Sequence, residues 1–252
     1  MKIEYDGGRY SGWQQQENGR TIQGELLKVA RNIFADRVEI GGAGRTDAGV
    51  HALEQVAHLR AKNNLPVKEL LFNFNQLLPK DIHVLNIELA PSNFDARHDA
   101  ISRCYLYQIS TRRTAFGKPY VWWVKDRLNI KLMQQACQLL VGLKDFCSFC
   151  EIEENKSTLV KVEEASLAIS NSLILFRISA SHFLWKMVRR IVGTLVEIGR
   201  GNIRESHLIE FLNNYSSTPA IWTAPPSGLL LEKVLYPGDL KPKLIHPMVF
   251  VS

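Results

Sequence analysis

The segment at residues 41–52, Gly-Gly-Ala-Gly-Arg-Thr-Asp-Ala-Gly-Val-His-Ala, places one carboxylate, Asp47, in a glycine-rich turn beside an arginine. The preceding residues 38–40 alternate between apolar and polar types as a strand does, and the glycines permit a tight turn and a close approach to a ligand. This pattern predicts that Asp47 lies on a loop at a strand end, where it suits a chemical centre. An ordinary Asx turn without chemistry is the alternative that the spacing leaves open.

The glycine pattern differs from those of nucleotide-binding loops. A phosphate-binding loop requires Gly-x-x-x-x-Gly-Lys-Ser/Thr, and a dinucleotide fingerprint requires a third glycine where this chain has Asp47. A carboxylate at that position would repel a phosphate. The segment is therefore not predicted to bind a nucleotide cofactor.

Ten short motifs follow one another along the chain in a recognisable order. They lie at residues 4–7, 12–14, 21–26, 44–52, 55–58, 94–97, 103–107, 145–149, 183–193 and 224–229. Together they resemble the tRNA pseudouridine synthase A family over almost the whole chain. The resemblance implies isomerisation of uridine to pseudouridine at positions 38, 39 and 40 in the anticodon stem-loop of tRNA, with no cofactor.

The resemblance also implies roles for four side chains. Asp47 matches the catalytic aspartate, which in the family is discussed as a nucleophile at the sugar or as a base that promotes elimination there. Tyr105 matches the tyrosine that stacks on the flipped uracil, and Arg45 matches the arginine that fills the space left by the base. Arg189 matches the basic partner of the aspartate, and a nearby cation favours the ionised carboxylate. Weaker candidates for contacts with the RNA backbone are Arg97, Arg103, Lys186 and Arg190.

Composition and charge favour an anionic partner. The 252 residues carry a formal net charge of +6, and basic residues concentrate at 97–113 and 182–200. This segregation indicates a nucleic-acid face, with a solvated charge pattern as the alternative. No apolar stretch is long enough to span a membrane, and charges interrupt the first six residues where a signal peptide would be apolar. A cytoplasmic protein without a membrane partner is therefore expected.

The sequence predicts no metal site. His51 and His58 have no partners at ligand spacing, and a loop-ordering or packing role is expected for both. Cys147 and Cys150 have the spacing of a zinc or redox motif, but no second pair completes a zinc site. All four cysteines are therefore expected to be reduced thiols.

The hydrophobic pattern predicts an α+β protein. The expected strands are 3–5, 37–41, 53–60, 82–89, 103–111, 158–168, 172–180 and 228–236, and the expected helices are 21–34, 66–77, 130–142, 183–199 and 204–214. Thr21 is the expected cap of the first helix, and Trp13 and Trp185 are expected to be structural aromatics. The first half has the ferredoxin-like order of strand, helix, two strands, helix and strand. We expect two such halves with mainly antiparallel sheets, at 1–97 and 98–252. The family resemblance implies that they join around a central basic cleft.

The resemblance further implies a homodimer in which one tRNA touches both subunits. Two alternatives to the predicted function belong to different classes. One is a pseudouridine synthase that acts on another RNA site, and the other is an RNA-binding protein without catalytic activity. A metal-dependent hydrolase is disfavoured because the sequence has no cluster of ligands at metal-binding spacing.

Overall fold

The computed structural model describes residues 1–62, 65–154 and 156–251. Helices and largely antiparallel strands make up the described chain, which confirms the predicted α+β class. None of the helices in these ranges is both long enough and apolar enough to cross a membrane.

The chain forms two compact units, each with residues from two stretches of sequence. The first contains Met1–Ile101 and Leu230–Leu240, and the second contains Ser102–Leu229 and Lys241–Ser252. The predicted boundary near residue 97 thus lies four residues before the observed change of unit. The sequence-based division also assigned residues 230–240 to the second half, whereas they pack with the first.

The first unit has the predicted order of strand, helix, two strands, helix and strand. Its elements are β1 (Lys2–Tyr5), α1 (Ile22–Phe34), β2 (Glu39–Gly42), β3 (His51–Arg60), α2 (Val67–Leu77) and β4 (Ile82–Asn86). Strand β1 lies between β4 and β3, and β2 pairs with the other side of β3, all antiparallel. This is the ferredoxin-like arrangement. Strand β4 ends three residues earlier than predicted.

Helix α1 shows how the sequence specifies an element of this unit. Thr21 caps it, as predicted, because its hydroxyl accepts a hydrogen bond from the amide of Gly24 at 3.2 Å. One face of the helix is buried, and Ala35 ends it in the left-handed conformation. Its buried residues are Ile22, Leu26, Leu27, Val29, Ala30 and Phe34. Cap and apolar spacing therefore agree on one helix.

The second unit contains most of the remaining elements. They are β5 (Ser102–Ser110), β6 (Trp122–Trp123), α3 (Ile130–Leu139), β7 (Gly142–Asp145), β8 (Leu159–Ser170), β9 (Leu173–Ala180), α4 (Met187–Arg200), α5 (Glu205–Asn213) and α6 (Thr218–Ile221). Its main sheet has the antiparallel order β5–β9–β8–β7, and β6 pairs with β5 in parallel. Apart from the short strands β6 and β7, the order β5, α3, β8, β9, α4 matches the first five elements of the first unit.

Two helix boundaries in the second unit were predicted wrongly. Helix α3 ends at Leu139 rather than 142, because Gly142 has a φ of +106° and begins β7, a strand that the periodicity did not indicate. Helix α4 begins at Met187 rather than 183, because Lys186 has a left-handed φ of +65°. A residue whose backbone is in the left-handed conformation cannot continue a right-handed helix.

The last strand, β10 (Leu229–Leu235), returns the chain to the first unit. It runs parallel to β3, with Leu230 opposite His51. Beyond it, the hydroxyl of Tyr236 donates a hydrogen bond to the carbonyl of Ala96 at 2.7 Å. These contacts are between residues distant in sequence, which explains why the chain order alone assigned 230–240 to the other half.

Residues after 240 pack on the second unit. The buried guanidinium of Arg177 donates hydrogen bonds to the carbonyls of Pro242 and Leu244 at 3.1 and 2.6 Å. The side chain of Val251 enters a core cluster with Leu106. The C-terminal segment is thus anchored at both ends without forming a helix or strand.

Candidate active site

The Asp47 loop (residues 43–50) connects β2 to β3, as predicted. On this loop, Arg45 is exposed, Thr46 is buried and Asp47 is partly buried. The amide of Val50 donates to the carbonyl of Asp47 at 3.1 Å, and Gly49 between them has a φ of +77°. A left-handed residue at this position is accessible to glycine at little cost.

Neighbouring segments fix the loop backbone from outside. The amide of Trp13 donates to the carbonyl of Thr46 at 3.0 Å, and the amide of Gly49 donates to the carbonyl of Tyr10 at 3.3 Å. Both donor–acceptor pairs join the segment after β1 to the loop. The Asp47 loop is therefore held on either side of the carboxylate by main-chain hydrogen bonds.

The close approach predicted at the glycines before the loop is made by other parts of the protein. A side chain at Gly42 would collide with the ring of the buried Trp13, and one at Gly41 would lie 2.5 Å from the ring of His58. Both glycines are therefore required by internal packing. Trp13 is a structural aromatic, as expected.

The two histidines order the chain, which agrees with the role predicted for them. His51 is buried, and its Nδ1 atom accepts a hydrogen bond from the amide of Gly7 at 3.1 Å. The Nδ1 atom of His58 accepts from the amide of Ala96 at 3.0 Å. Among the described residues, no group of three or more metal-ligating side chains occurs.

Tyr105 lies in the middle of β5 and is largely buried. Its ring contacts the edge of the Phe183 ring, with centroids 4.9 Å apart and planes at 82°. On the same strand, Arg103 is buried and donates to the carbonyl of Ser181 at 2.9 Å. Since 103 and 105 both meet residues 181–183, they share one face of the strand, as the alternation predicts.

Arg189 is oriented by Ala224. Its Nε atom donates to the Ala224 carbonyl at 2.7 Å, and its own carbonyl accepts from the Ala224 amide at 3.1 Å. The next residue, Pro225, accepts a hydrogen bond from the buried hydroxyl of Tyr107 at 2.8 Å. Burial raises the pKa of Tyr107 well above its ordinary value, so this hydroxyl remains a donor. Residues 224 and 225 thus connect β5 to α4.

The four weaker candidates differ in exposure. Arg190 is buried and donates to the carboxylate of Glu151 and the carbonyl of Cys150. Lys186 is partly exposed and donates to the same carboxylate at 3.0 Å, and this hydrogen bond is the main cause that lowers the pKa of Glu151. Arg103 is buried, as described above, whereas Arg97 is exposed.

Trp185 differs from the structural aromatic that the sequence predicts. Its side chain is 53% exposed, and the Lys186 ammonium lies 4.9 Å from the centroid of its ring. A cation at this distance from an aromatic face is stabilised by the ring quadrupole.

The cysteines are free thiols, as predicted. Cys104, Cys137 and Cys150 are buried, and Cys147 is partly buried. Burial is the main cause that raises the pKa of Cys137 to about 12 and that of Cys150 to about 11. A thiol with so high a pKa is a poor nucleophile and a poor metal ligand at neutral pH.

Comparison with known families decides the identity of the chain. A family model described as tRNA pseudouridine synthase matches residues 1–99 and 136–237. The chain belongs to the tRNA pseudouridine synthase family. The matched ranges include the Asp47 loop and residues 183–193, but residues 100–135, with Tyr105, lie outside them.

Three curated relatives of this family support the assignment over most of the chain. All three are named tRNA pseudouridine synthase A. The protein of Aquifex aeolicus is 39% identical over 93% of this chain and 98% of its own length. Those of Thermodesulfovibrio yellowstonii and Caldicellulosiruptor bescii are each 36% identical over 94% of this chain and 98% of their own length.

One solved structure, titled a Cbf5–Nop10–Gar1 complex, is also similar. Its TM-score is 0.37 with 11% identity, and the match covers 79% of this chain and 45% of that chain. A similarity at this level adds nothing to the family assignment.

Two residues that contact the candidate site residues were not recognised from the sequence. Ala224 and Phe183 both lie in motifs that carry the resemblance, yet neither has a side chain that suggests chemistry. The structure shows that Ala224 orients Arg189 through its main chain and that Phe183 supports the ring of Tyr105. A main-chain contact has no side-chain signature, so only the motif context around Ala224 could have indicated it.

Proposed function

We propose that this chain converts uridine to pseudouridine at positions 38, 39 and 40 of the tRNA anticodon stem-loop. Family membership assigns an isomerase that acts on tRNA. The main structural support for the proposal is the position of Asp47. It lies partly buried on a loop whose backbone is held by hydrogen bonds from neighbouring segments. The three positions follow from the motif resemblance.

The reaction rearranges one nucleoside without a net change in composition. The bond from uracil N1 to ribose C1′ breaks, and C1′ forms a new bond to C5 of the same base. C5 loses its proton and N1 gains one. The detached base must turn within the site, so the enzyme needs a group that acts at the sugar and a surface that holds the base.

We assign these roles to four side chains that the motif resemblance indicates. Asp47 acts at the sugar, as the nucleophile at C1′ or as the base that promotes elimination. Tyr105 stacks on the uracil, a contact worth about 1–3 kcal/mol per base in nucleic-acid sites. Arg45, exposed on the Asp47 loop, takes the space left by the flipped base. Arg189, whose Nε is fixed by Ala224, supplies the positive charge that favours the ionised Asp47.

We also propose how the tRNA is recognised. RNA helices are identified chiefly by shape and by phosphate and 2′-hydroxyl contacts. Arg97 is exposed and Lys186 is partly exposed, which supports a role for both at phosphates. Arg103 and Arg190 are buried and hydrogen-bonded within the protein, so their predicted RNA contacts have less support.

A homodimer is part of this proposal, because the family resemblance implies one tRNA contacting two subunits. Sedimentation of the protein alone and with tRNA tests it. Two chains per particle are expected, and a monomer in both samples would contradict it. Cytoplasmic localisation stays a prediction from the sequence.

Release of tritium from C5 of uridine tests the function directly. Transcripts of tRNA labelled at uridine C5 are incubated with wild type, with Asp47→Asn and with Asp36→Asn. Asp36 is a carboxylate near the exposed end of α1 that pairs with Lys62, so its variant is a matched control. Wild type and Asp36→Asn are expected to release tritium, and Asp47→Asn is expected to lose at least about 10³-fold in rate.

A second transcript with cytidine at positions 38–40 tests the position. It is expected to release no tritium. Release from this transcript would identify a synthase for another site. No release from either transcript by wild type, with tRNA still bound, would instead indicate an RNA-binding protein without catalytic activity.

A further inference from the structure

Three buried polar side chains form a hydrogen-bond network that contacts the Asp47 loop. The hydroxyl of Tyr5, on β1, is 2.8 Å from the hydroxyl oxygen of Thr46. The amide nitrogen of Gln55, on β3, donates to the Tyr5 oxygen at 3.5 Å and to the carbonyl of Gly44 at 2.8 Å. We propose that Tyr5, Thr46 and Gln55 are positioning residues that fix the Asp47 carboxylate for the reaction at the sugar. This inference rests on the proposed function.

Burial makes these contacts obligatory. Tyr5, Thr46 and Gln55 are at most 5% exposed, so water cannot replace a lost partner. Within the described part of the chain, none of these three side chains has a buried polar atom without a hydrogen bond. A buried polar group that loses its partner destabilises the protein by more than the mean value of a hydrogen bond. The loop is therefore strongly coupled to this one arrangement.

Donors and acceptors can be assigned to the hydrogen bonds of this network. The oxygen of the Gln55 side chain accepts from the amide of Val56 at 3.2 Å, which places the side-chain nitrogen toward Tyr5 and Gly44. Tyr5 therefore accepts from Gln55, and it must donate its own proton to Thr46 if that proton is to have an acceptor. Burial is the main cause that raises the pKa of Tyr5 to about 12, so the hydroxyl keeps this proton at neutral pH.

This hydrogen-bond network acts on Asp47 through the adjacent residue, Thr46. Thr46 is held at its side chain by Tyr5 and at its carbonyl by the amide of Trp13, 3.0 Å away. One peptide bond separates this doubly fixed residue from Asp47. The Gly44 carbonyl, held by Gln55, fixes the other side of Arg45. Loss of the Tyr5–Thr46 contact should thus displace the carboxylate, whereas the cations proposed for phosphate contacts outside the loop, Arg97 and Lys186, stay in place.

Four variants separate positioning from general stability. Tyr5→Phe and Thr46→Val each remove one hydroxyl with little change in shape, Thr46→Ser keeps the hydroxyl, and the double variant removes both. Tyr236→Phe is the matched control, because its hydroxyl also forms one hydrogen bond in the first unit but contacts Ala96 rather than the loop. For each variant, kcat and KM are measured by tritium release, and Tm is measured by circular dichroism.

Tyr5→Phe and Thr46→Val are expected to lower kcat by about 10- to 100-fold with KM within about twofold of wild type, because a small displacement of a reacting group costs rate rather than binding. The double variant should lose no more than about the larger single effect, since both changes break the same contact. Thr46→Ser should restore most of kcat. Tyr236→Phe should lower Tm alone.

The inference is overturned if Tyr5→Phe and Thr46→Val fold with kcat near that of wild type, or if Tyr236→Phe loses kcat to the same extent. If either Tyr5→Phe or Thr46→Val fails to fold, the inference is tested with the other of these two variants and with Thr46→Ser. Failure of the proposed function would be visible separately, as absence of tritium release from wild type.

Discussion

The Asp47 loop and the strand that carries Tyr105 are held in different ways. The loop at residues 43–50 is not part of a strand, and individual contacts hold it in place. They come from Tyr5, Tyr10, Trp13, Gln55 and Val56. Tyr105 lies in β5, where a continuous antiparallel ladder pairs residues 103–110 with β9 and every residue of the strand is buried. One side chain is positioned by a few specific hydrogen bonds, the other by a whole element.

This difference predicts different consequences of mutation. A ladder of eight paired residues is little affected by the loss of one side chain, so changes around Tyr105 should alter what the ring contacts rather than where it lies. The loop has no such redundancy. Changes that touch its few contacts should therefore affect catalysis more than their effect on stability would suggest.

Among changes that leave Asp47 itself unaltered, crowding the loop at Gly12 should have the largest effect. Gly12 has a φ of +92°, and an added Cβ would lie 2.6 Å from the carbonyl oxygen of Thr46. Gly12→Ala should therefore displace Thr46 and lower kcat by about 100-fold. It should also lower the free energy of unfolding by about 1–3 kcal/mol beyond the cost of the left-handed conformation. Tritium release and urea unfolding measure the two quantities.

Gly238→Ala is the matched control for that change. Gly238 has nearly the same φ, +93°, but apart from its chain neighbours no heavy atom of the described residues lies within 4 Å of an added Cβ. Its variant should show only the conformational cost of about 1–2 kcal/mol and retain kcat. Equal losses of kcat in both variants would contradict the idea that contact with Thr46 is what matters.

A smaller effect is expected from Tyr105→Leu. The substitution removes the aromatic face and keeps an apolar side chain against Phe183, so β5 should remain intact. Loss of stacking worth about 1–3 kcal/mol corresponds to a decrease of about 5- to 150-fold in kcat/KM. Tyr105→Phe keeps the ring and should lose much less. If both variants retain the wild-type kcat/KM in steady-state tritium assays, Tyr105 does not stack on the base.

The smallest effect should come from Glu151→Gln, which tests the ion pairs before α4. The pKa of Glu151 is lowered, chiefly by the hydrogen bond from Lys186. A lowered pKa in the folded state means that the carboxylate stabilises the fold above its ordinary pKa and that this stabilisation disappears as the pH falls through the lowered value. The Glu151 side chain is 39% exposed, so solvent screening limits the pH-dependent part of this stabilisation to about 1 kcal/mol or less.

The measurement is Tm as a function of pH for wild type and Glu151→Gln. A difference of about 2–4 °C or less is expected at pH 7, and the two curves should meet at acidic pH. Glu153→Gln removes a more exposed carboxylate that pairs with Lys156 and serves as control, with little change at either pH. A constant difference between wild type and Glu151→Gln across the pH range would contradict an electrostatic origin.

Local sequence signals were sufficient where the interactions are local. The Thr21 cap, the apolar face of α1 and the glycine-rich turn before Asp47 involve residues close in sequence, and the structure agrees with them. The end of α3 and the start of α4 were wrong because left-handed backbone at Gly142 and Lys186 interrupts an apolar pattern that continues across it.

The sequence by itself determined the family, through motifs at fixed order and spacing, and it placed Asp47 on a loop between two strands. It could not show which cations are exposed. Arg190 and Arg97 are the same residue type in basic stretches of the sequence. Only the fold brings Glu151, 39 positions away along the chain, into an ion pair with the buried Arg190.

Tertiary structure alone also decided which residues support Asp47. Tyr5 and Thr46 are 41 positions apart, and β10, which pairs with β3, follows most of the second unit in the sequence. Sequence periodicity reports which face of an element is apolar, whereas a buried hydrogen bond depends on the register between elements distant along the chain. That is why the position of Asp47 on a loop between two strands could be predicted from the sequence, whereas the contacts that hold this loop could not.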